Sequence, residues 1–102
     1  MKNYKLIINP FAETEIKEAR EWYNSQKNNL GEEYLAEFKK TVLRIQSNPF
    51  QFPIIMKEIR KADTGRFPYS VFYYVNQSVI NIFAVFHTSR NPMIWKQRFE
   101  NK

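Results

Sequence analysis

At 102 residues, 43 % hydrophobic and 25 % charged, the chain has the size and composition of one small globular domain over 1–102, not of a disordered segment. It has no cysteine and one histidine, His87, which excludes disulfides, thiolate nucleophiles and metal sites needing two imidazoles, and argues against a histidine-based triad. The formal charge of +6 is uneven, with eight basic and seven acidic side chains in residues 1–54 but eight and three in residues 55–102; an excess gathered in one half points to a face for an anionic partner.

No apolar run approaches the roughly 20 residues that span a bilayer, and Met1-Lys2-Asn3-Tyr4 lacks a signal-peptide core. A soluble cytoplasmic protein without metal or cofactor is expected. Tyr4-Lys5-Leu6-Ile7-Ile8 has strand length and is stopped by Asn9-Pro10, an N-cap followed by a residue suited to the first helical turn. Ala12, Ile16, Ala19 and Tyr23 then recur at spacings of 4, 3 and 4, one face of a helix. Glu13, Glu15, Glu18 and Glu21 occupy the rest, and the acidic stripe reads as a solvated face. The polar stretch 24–29 is turn-like. A second helix starts near Leu30 or Gly31, with Leu35, Phe38, Val42 and Ile45 stepping by 3, 4 and 3 and Tyr34 widening the stripe. Ser47-Asn48-Pro49 ends it, because the residue before proline is pushed out of helical geometry.

After Pro53 the period changes. Residues 54–62 read as extended, with a turn at Asp63-Thr64-Gly65. Two runs rich in β-branched and aromatic residues, 69–75 and 79–86, are separated only by Asn76-Gln77-Ser78, which predicts a β-hairpin. Apolar residues on both faces of the last strand predict a central position in the sheet. Asn91-Pro92 breaks the chain, and Ile94–Phe99 reads as one final helical turn. The order β-α-α-β-β-β predicts an α+β fold, a helical hairpin packed on a mainly antiparallel twisted sheet.

The chemistry-bearing residues gather near the end of the chain. In an antiparallel hairpin the start of one strand lies beside the end of the next, so Tyr69 and His87 should be neighbours with Arg90 just beyond. Arg60, Lys61 and Arg66 are expected on the same side, with Trp95, Lys96 and Arg98 following. Cations beside aromatic rings suit a phosphate backbone with stacked bases. If the site cleaves RNA, His87 can exchange the proton, Arg90 can brace the phosphate with Arg60 or Lys61, and Glu58 is an alternative base. Plainer readings stand beside these: His87 as a hydrogen-bonded strand end, Arg90 as a partner-facing charge, Glu58 as an ion-pair member, and Trp95 as a staple for the tail.

Gly31-Glu32-Glu33-Tyr34-Leu35 with Phe38 resembles the signature that opens the second helix in toxins of the RelE/ParE superfamily. Phe67-Pro68-Tyr69-Ser70-Val71-Phe72-Tyr73, then Ala84 through Pro92, then Trp95 and Arg98, strengthen the likeness, which covers nearly the whole chain. The resemblance implies the toxin half of a type II toxin–antitoxin pair, neutralised by a cognate antitoxin. It also implies two alternatives: RelE-like cleavage of mRNA on the ribosome, or ParE-like growth inhibition through DNA gyrase. RelE-like toxins often carry an arginine after the tyrosine that Tyr69 matches, and this chain has Ser70 there. Trp95 lies where such nucleases often have a tyrosine. The ParE-like reading is therefore favoured over a nuclease, and a non-toxic RNA-binding domain is the third alternative.

Overall fold

A computed structural model describes residues 3–100. Asn9 caps the first helix as its sequence predicts: its side-chain oxygen accepts the Phe11 amide at 2.8 Å, and Pro10 occupies the first turn, where its missing N–H leaves no bond unmade. Helix α1 spans Pro10–Gln26 and α2 spans Leu30–Ser47. They cross closely at Gly31, where a Cβ would overlap the Arg20 carbonyl oxygen and the Asn24 side chain. The Asn24 carboxamide accepts the Gly31 amide at 2.7 Å, so the hairpin is pinned where its two helices are nearest.

Five strands follow the order β1-β5-β4-β3-β2 in one sheet: β1 Lys5–Ile8, β2 Ile54–Met56, β3 Ile59–Asp63, β4 Tyr69–Asn76 and β5 Val79–His87. Only β1 runs parallel to its neighbour, pairing Lys5 with Val79 through Ile8 with Ile82. The expected hairpin is β4–β5, closed by two residues with Gln77 at φ 56°. As predicted, β5 lies inside the sheet.

Two elements differ from the sequence reading. The extended stretch 54–62 is two antiparallel strands, folded back where Lys57 adopts φ 52°. The final turn is a full helix, α3, Met93–Glu100, so the observed order is β-α-α-β-β-β-β-α. Lys57-Glu58 carries no glycine, proline or asparagine to announce a turn, and α3 has only Trp95 and Phe99 buried, too few to show a helical period.

A bulge lets β5 serve two cores. Phe72 faces Ala84 but Tyr73 faces Ile82, which leaves Phe83 as the extra residue and shifts the alternation by one. Ile80, Ile82 and Val85 thereby join Phe38, Val42 and Ile45 under the helical hairpin. Phe83, Ala84 and Phe86 instead join Phe72, Trp95 and Phe99 on the opposite face, beneath α3. Tyr23, Tyr34 and Phe67 form a third cluster where the hairpin meets the β3–β4 loop. Each large side chain so buried stabilises by about 1.5–3 kcal/mol. No described helix is long and apolar enough to cross a membrane.

Candidate functional site

The β4–β5 ladder places Tyr69 opposite His87, and their rings meet edge to face with centroids 5.2 Å apart. Pro68 extends the ladder one step by accepting the Thr88 amide at 2.8 Å. The chain then turns sharply, with the Arg90 amide donating to the His87 carbonyl at 3.0 Å. Within that turn the Ser89 amide donates to His87 Nδ1 at 3.0 Å, and the Ser89 hydroxyl lies 2.7 Å from the same nitrogen. A backbone amide can only donate, so Nδ1 is the acceptor in this turn.

Arg90 is fixed by a residue the sequence reading assigned to a solvated stripe. Glu15 of α1 has a side chain only 9 % exposed and lies 3.1 Å from Arg90 Nη1 and 3.0 Å from Arg98 Nη1. It also accepts the Val85 amide at 3.0 Å. Arg98 in turn donates to the Phe83 carbonyl at 3.0 Å. Strand β1 ends at Ile8, opposite Ile82, so β5 has no strand neighbour on that edge beyond it. The Glu15–Arg98 pair satisfies the orphaned backbone groups there and ties α1, β5 and α3 together. The Arg90 guanidinium lies 4.1 Å from the Phe86 ring centroid and that of Arg98 5.3 Å, a cation–π arrangement that adds to the ion pairs.

Two shallow clefts flank this turn. One, of about 260 Å³, lies on the α3 face and includes Lys61, Ser70, His87, Thr88 and Arg90 over a floor of Phe72, Phe86 and Trp95. The other, of about 250 Å³, lies on the α1 side and shares His87 and Arg90 with Tyr69, Trp22, Glu15 and Glu18. Burial raises the Tyr69 hydroxyl above its ordinary range, helped by Tyr23 and opposed by the Arg90 charge. Among the expected residues, then, His87 and Arg90 line both clefts, while Lys61 lies in the one on the α3 face and Tyr69 in the one on the α1 side.

The others lie elsewhere. Arg60 pairs with Tyr73, four residues or about 13 Å along the strand from Tyr69. It faces the opposite side from Lys61 and donates to the Phe50 and Phe52 carbonyls. Arg66 is paired with Glu33 of α2. Trp95 is 5 % exposed and stacks on Phe72 at 4.8 Å, so it is a staple under the cleft and offers no free ring face. Arg98 serves Glu15, and Lys96 lies along Trp95 with its ammonium 5.8 Å from the ring centroid. Neither lines either of these two clefts, nor does Glu58 in the β2–β3 turn. Ser70 is buried and donates to Asp63 at 2.7 Å. Among the described residues no cluster of three or more metal-ligating side chains occurs.

Such an arrangement can bind: it offers two cations, two hydroxyls and an apolar floor. Cleavage of a phosphodiester needs a positioned base and positive charge aimed at the reacting phosphate. Here Nδ1 of His87 accepts the Ser89 amide, Arg90 donates to Glu15, and Ser70 donates to Asp63 and carries no charge.

Comparison with known proteins agrees with this architecture. The fold is similar to a chain of the chromosomal ParDE toxin–antitoxin system from P. aeruginosa, with a TM-score of 0.74 over 82 % of this chain and 95 % of that one, at 16 % identity. No curated protein sequence matches the chain significantly. Residues 6–92 match the family described as the ParE toxin of the type II toxin–antitoxin system parDE, a span that runs from β1 to the residue before α3. The chain belongs to the ParE toxin family and is a ParE-like toxin of the type II toxin–antitoxin class.

Proposed function

We propose that the chain arrests growth by binding a protein target, DNA gyrase, in the cytoplasm, and that a cognate antitoxin neutralises it by direct association. The observation that carries this reading is the His87–Ser89 turn. Nδ1 accepts a backbone amide and Arg90 is engaged by a carboxylate, so the two residues best placed for RNA cleavage are held as structural and contact groups. His87 and Arg90 then offer contacts at the turn, with Lys61 beside them on the α3 face and Tyr69 on the α1 side. A protein target needs shape and charge there, with no proton transfer.

Purified protein should inhibit gyrase-catalysed supercoiling in vitro, and no inhibition at high molar excess would overturn the gyrase reading. The RelE-like alternative draws on the adjacency of His87 and Arg90 at two clefts. Under the gyrase reading, induced cells keep intact mRNA while DNA topology changes. If mRNA is instead cleaved, and His87→Ala abolishes cleavage while the antitoxin still binds, the nuclease reading replaces it.

A further inference from the structure

Helix α1 meets α2 through Arg20 and Asn24. On its other flank Phe11, Glu15, Glu18 and Trp22 recur at spacings of 4, 3 and 4 and so lie along one line of the helix. Both ends of that line are aromatic and open: Phe11 is 63 % exposed and Trp22 56 %. Between them Glu15 is engaged by Arg90 and Arg98, whereas Glu18 is exposed and makes no ion pair among the described residues. Arg90 donates to Glu15 through Nη1 alone and its side chain stays 43 % exposed, which leaves it donors to spare.

The α1-side cleft borders this line and has Trp22, Tyr69 and His87 in its walls beside Glu18 and Arg90. Its chemistry selects the occupant. The carboxylates of Glu15 and Glu18 repel a phosphate backbone. An unpaired carboxylate and a partly free guanidinium, set beside exposed rings, call for a partner that carries both signs of charge and an aromatic side chain at helical spacing. The α1 flank carries that set. Within one copy, however, Phe11 and Trp22 lie about 16 Å apart along the helix, so Phe11 cannot reach the cleft of its own chain.

We propose that the chain pairs with a second copy of itself through antiparallel α1 helices. A two-fold axis midway between positions 16 and 17 sets residue 11 of one copy opposite residue 22 of the other, and residue 15 opposite residue 18. Phe11 of each copy fills the other's cleft beside Trp22, and Glu18 of each meets the other's Arg90, so every contact is made twice. The +6 charge of each copy opposes approach at long range and is screened at physiological salt. One helix per copy makes a small interface, at or below about 1,200 Å² in total, so the dimer forms at tens of micromolar and dissociates on dilution.

Sedimentation equilibrium of the purified full chain, from low to high micromolar at physiological salt, should show this monomer–dimer equilibrium. Phe11→Ala and Trp22→Ala should each weaken it about tenfold or more. Glu18→Arg, which brings like charges together, should weaken it by a similar factor. Leu43→Ala, which removes a side chain 66 % exposed on α2, leaves it unchanged. The chain has no cysteine, so a disulfide can report the register. With diamide accepting the two electrons and two protons of the thiols, Phe11→Cys mixed with Trp22→Cys should give a covalent dimer, and neither variant alone should. A parent that stays monomeric overturns the proposal. So does a dimer indifferent to Phe11→Ala and Trp22→Ala, which places the contact on another face. Crosslinking of each variant with itself as readily as with the other overturns the antiparallel register. A monomeric parent whose antitoxin complex is weakened by Trp22→Ala overturns the proposal in favour of a different protein in the cleft.

Discussion

The two faces of the sheet are covered very differently. One carries two helices of 17 and 18 residues, which bury an aliphatic core and a cluster of tyrosines. The other carries one helix of eight residues, anchored by Trp95 and Phe99 in an aromatic core. The long hairpin closes its face. The short helix leaves part of the second face open, and the cleft lies in that opening. The candidate site is therefore a consequence of unequal cover: the rigid face holds the strands in register, and the incompletely covered face leaves a cleft with Lys61 and Arg90 on its rim.

Gly31→Ala should have the largest effect, because it acts on the closed face at its tightest point. An added methyl meets a backbone carbonyl that cannot rotate away, so the helices must separate at the Asn24–Gly31 bond. Overpacking of this kind costs typically 1–3 kcal/mol, and the value here should lie at the top of that range, about 3 kcal/mol. Urea denaturation measures it. A midpoint within error of the parent would mean that the hairpin tolerates a wider crossing, and that its face is less rigid than its contacts indicate.

Glu15→Gln tests the seam between the faces. The amide oxygen can still accept the Val85 N–H, but the charge that holds Arg90 and Arg98 is gone. Arg98 has a side chain only 16 % exposed, so it loses a partner in a partly dry setting. Breaking a fully buried pair costs about 3–5 kcal/mol, and partial exposure of Arg90 brings the expected loss to about 2 kcal/mol. Amide hydrogen exchange should rise over α3 and hardly change over α1 and α2. Equal acceleration everywhere would show that α3 belongs to the global folding unit and is not a separately held cover.

The same contrast explains what the sequence made legible. The hairpin face has long periodic stripes, so Ala12, Ala19 and Tyr23, then Phe38, Val42 and Ile45, announce themselves by spacing alone. The β4–β5 hairpin is equally clear from its β-branched and aromatic runs, and it predicts the Tyr69–His87 contact directly. The seam is different. Glu15 sits on an acidic stripe shared with Glu18 and Glu21, and its partners Arg90 and Arg98 are 75 and 83 residues away. Nothing local distinguishes it from a solvated carboxylate, and only the early end of β1 creates the need for it. Arg60 departs from its expected side for a related reason. One residue along a strand changes the face, and adjacency to Lys61 in sequence therefore puts the two on opposite sides of the sheet.

The smallest expected effect returns to the closed face and has the opposite sign. The Tyr34 hydroxyl is fully buried with no hydrogen-bond partner among the described residues, while its ring packs against Tyr23, Phe67 and Tyr69 at 5.1–5.6 Å. An unsatisfied buried polar group carries a desolvation penalty of about 1–3 kcal/mol. Tyr34→Phe removes it at the cost of a small void, and a net stabilisation of about 1 kcal/mol is expected. The pH dependence separates this explanation from simple repacking. Burial pushes the Tyr34 hydroxyl far above its ordinary value and that of Tyr73 up to about 12, with Arg60 opposing. The native state therefore keeps both protons where the unfolded chain releases them. Their stabilisation is complete below pH about 10 and is lost as pH rises through the raised folded values. The phenylalanine variant should show a shallower loss of stability above pH 10, with the Tyr73 contribution remaining. Urea midpoints taken between pH 8 and pH 11 give the comparison. Parallel curves for parent and variant would mean that the Tyr34 hydroxyl is solvated, and that the hairpin face is open at the tyrosine cluster as the other face is open at its cleft.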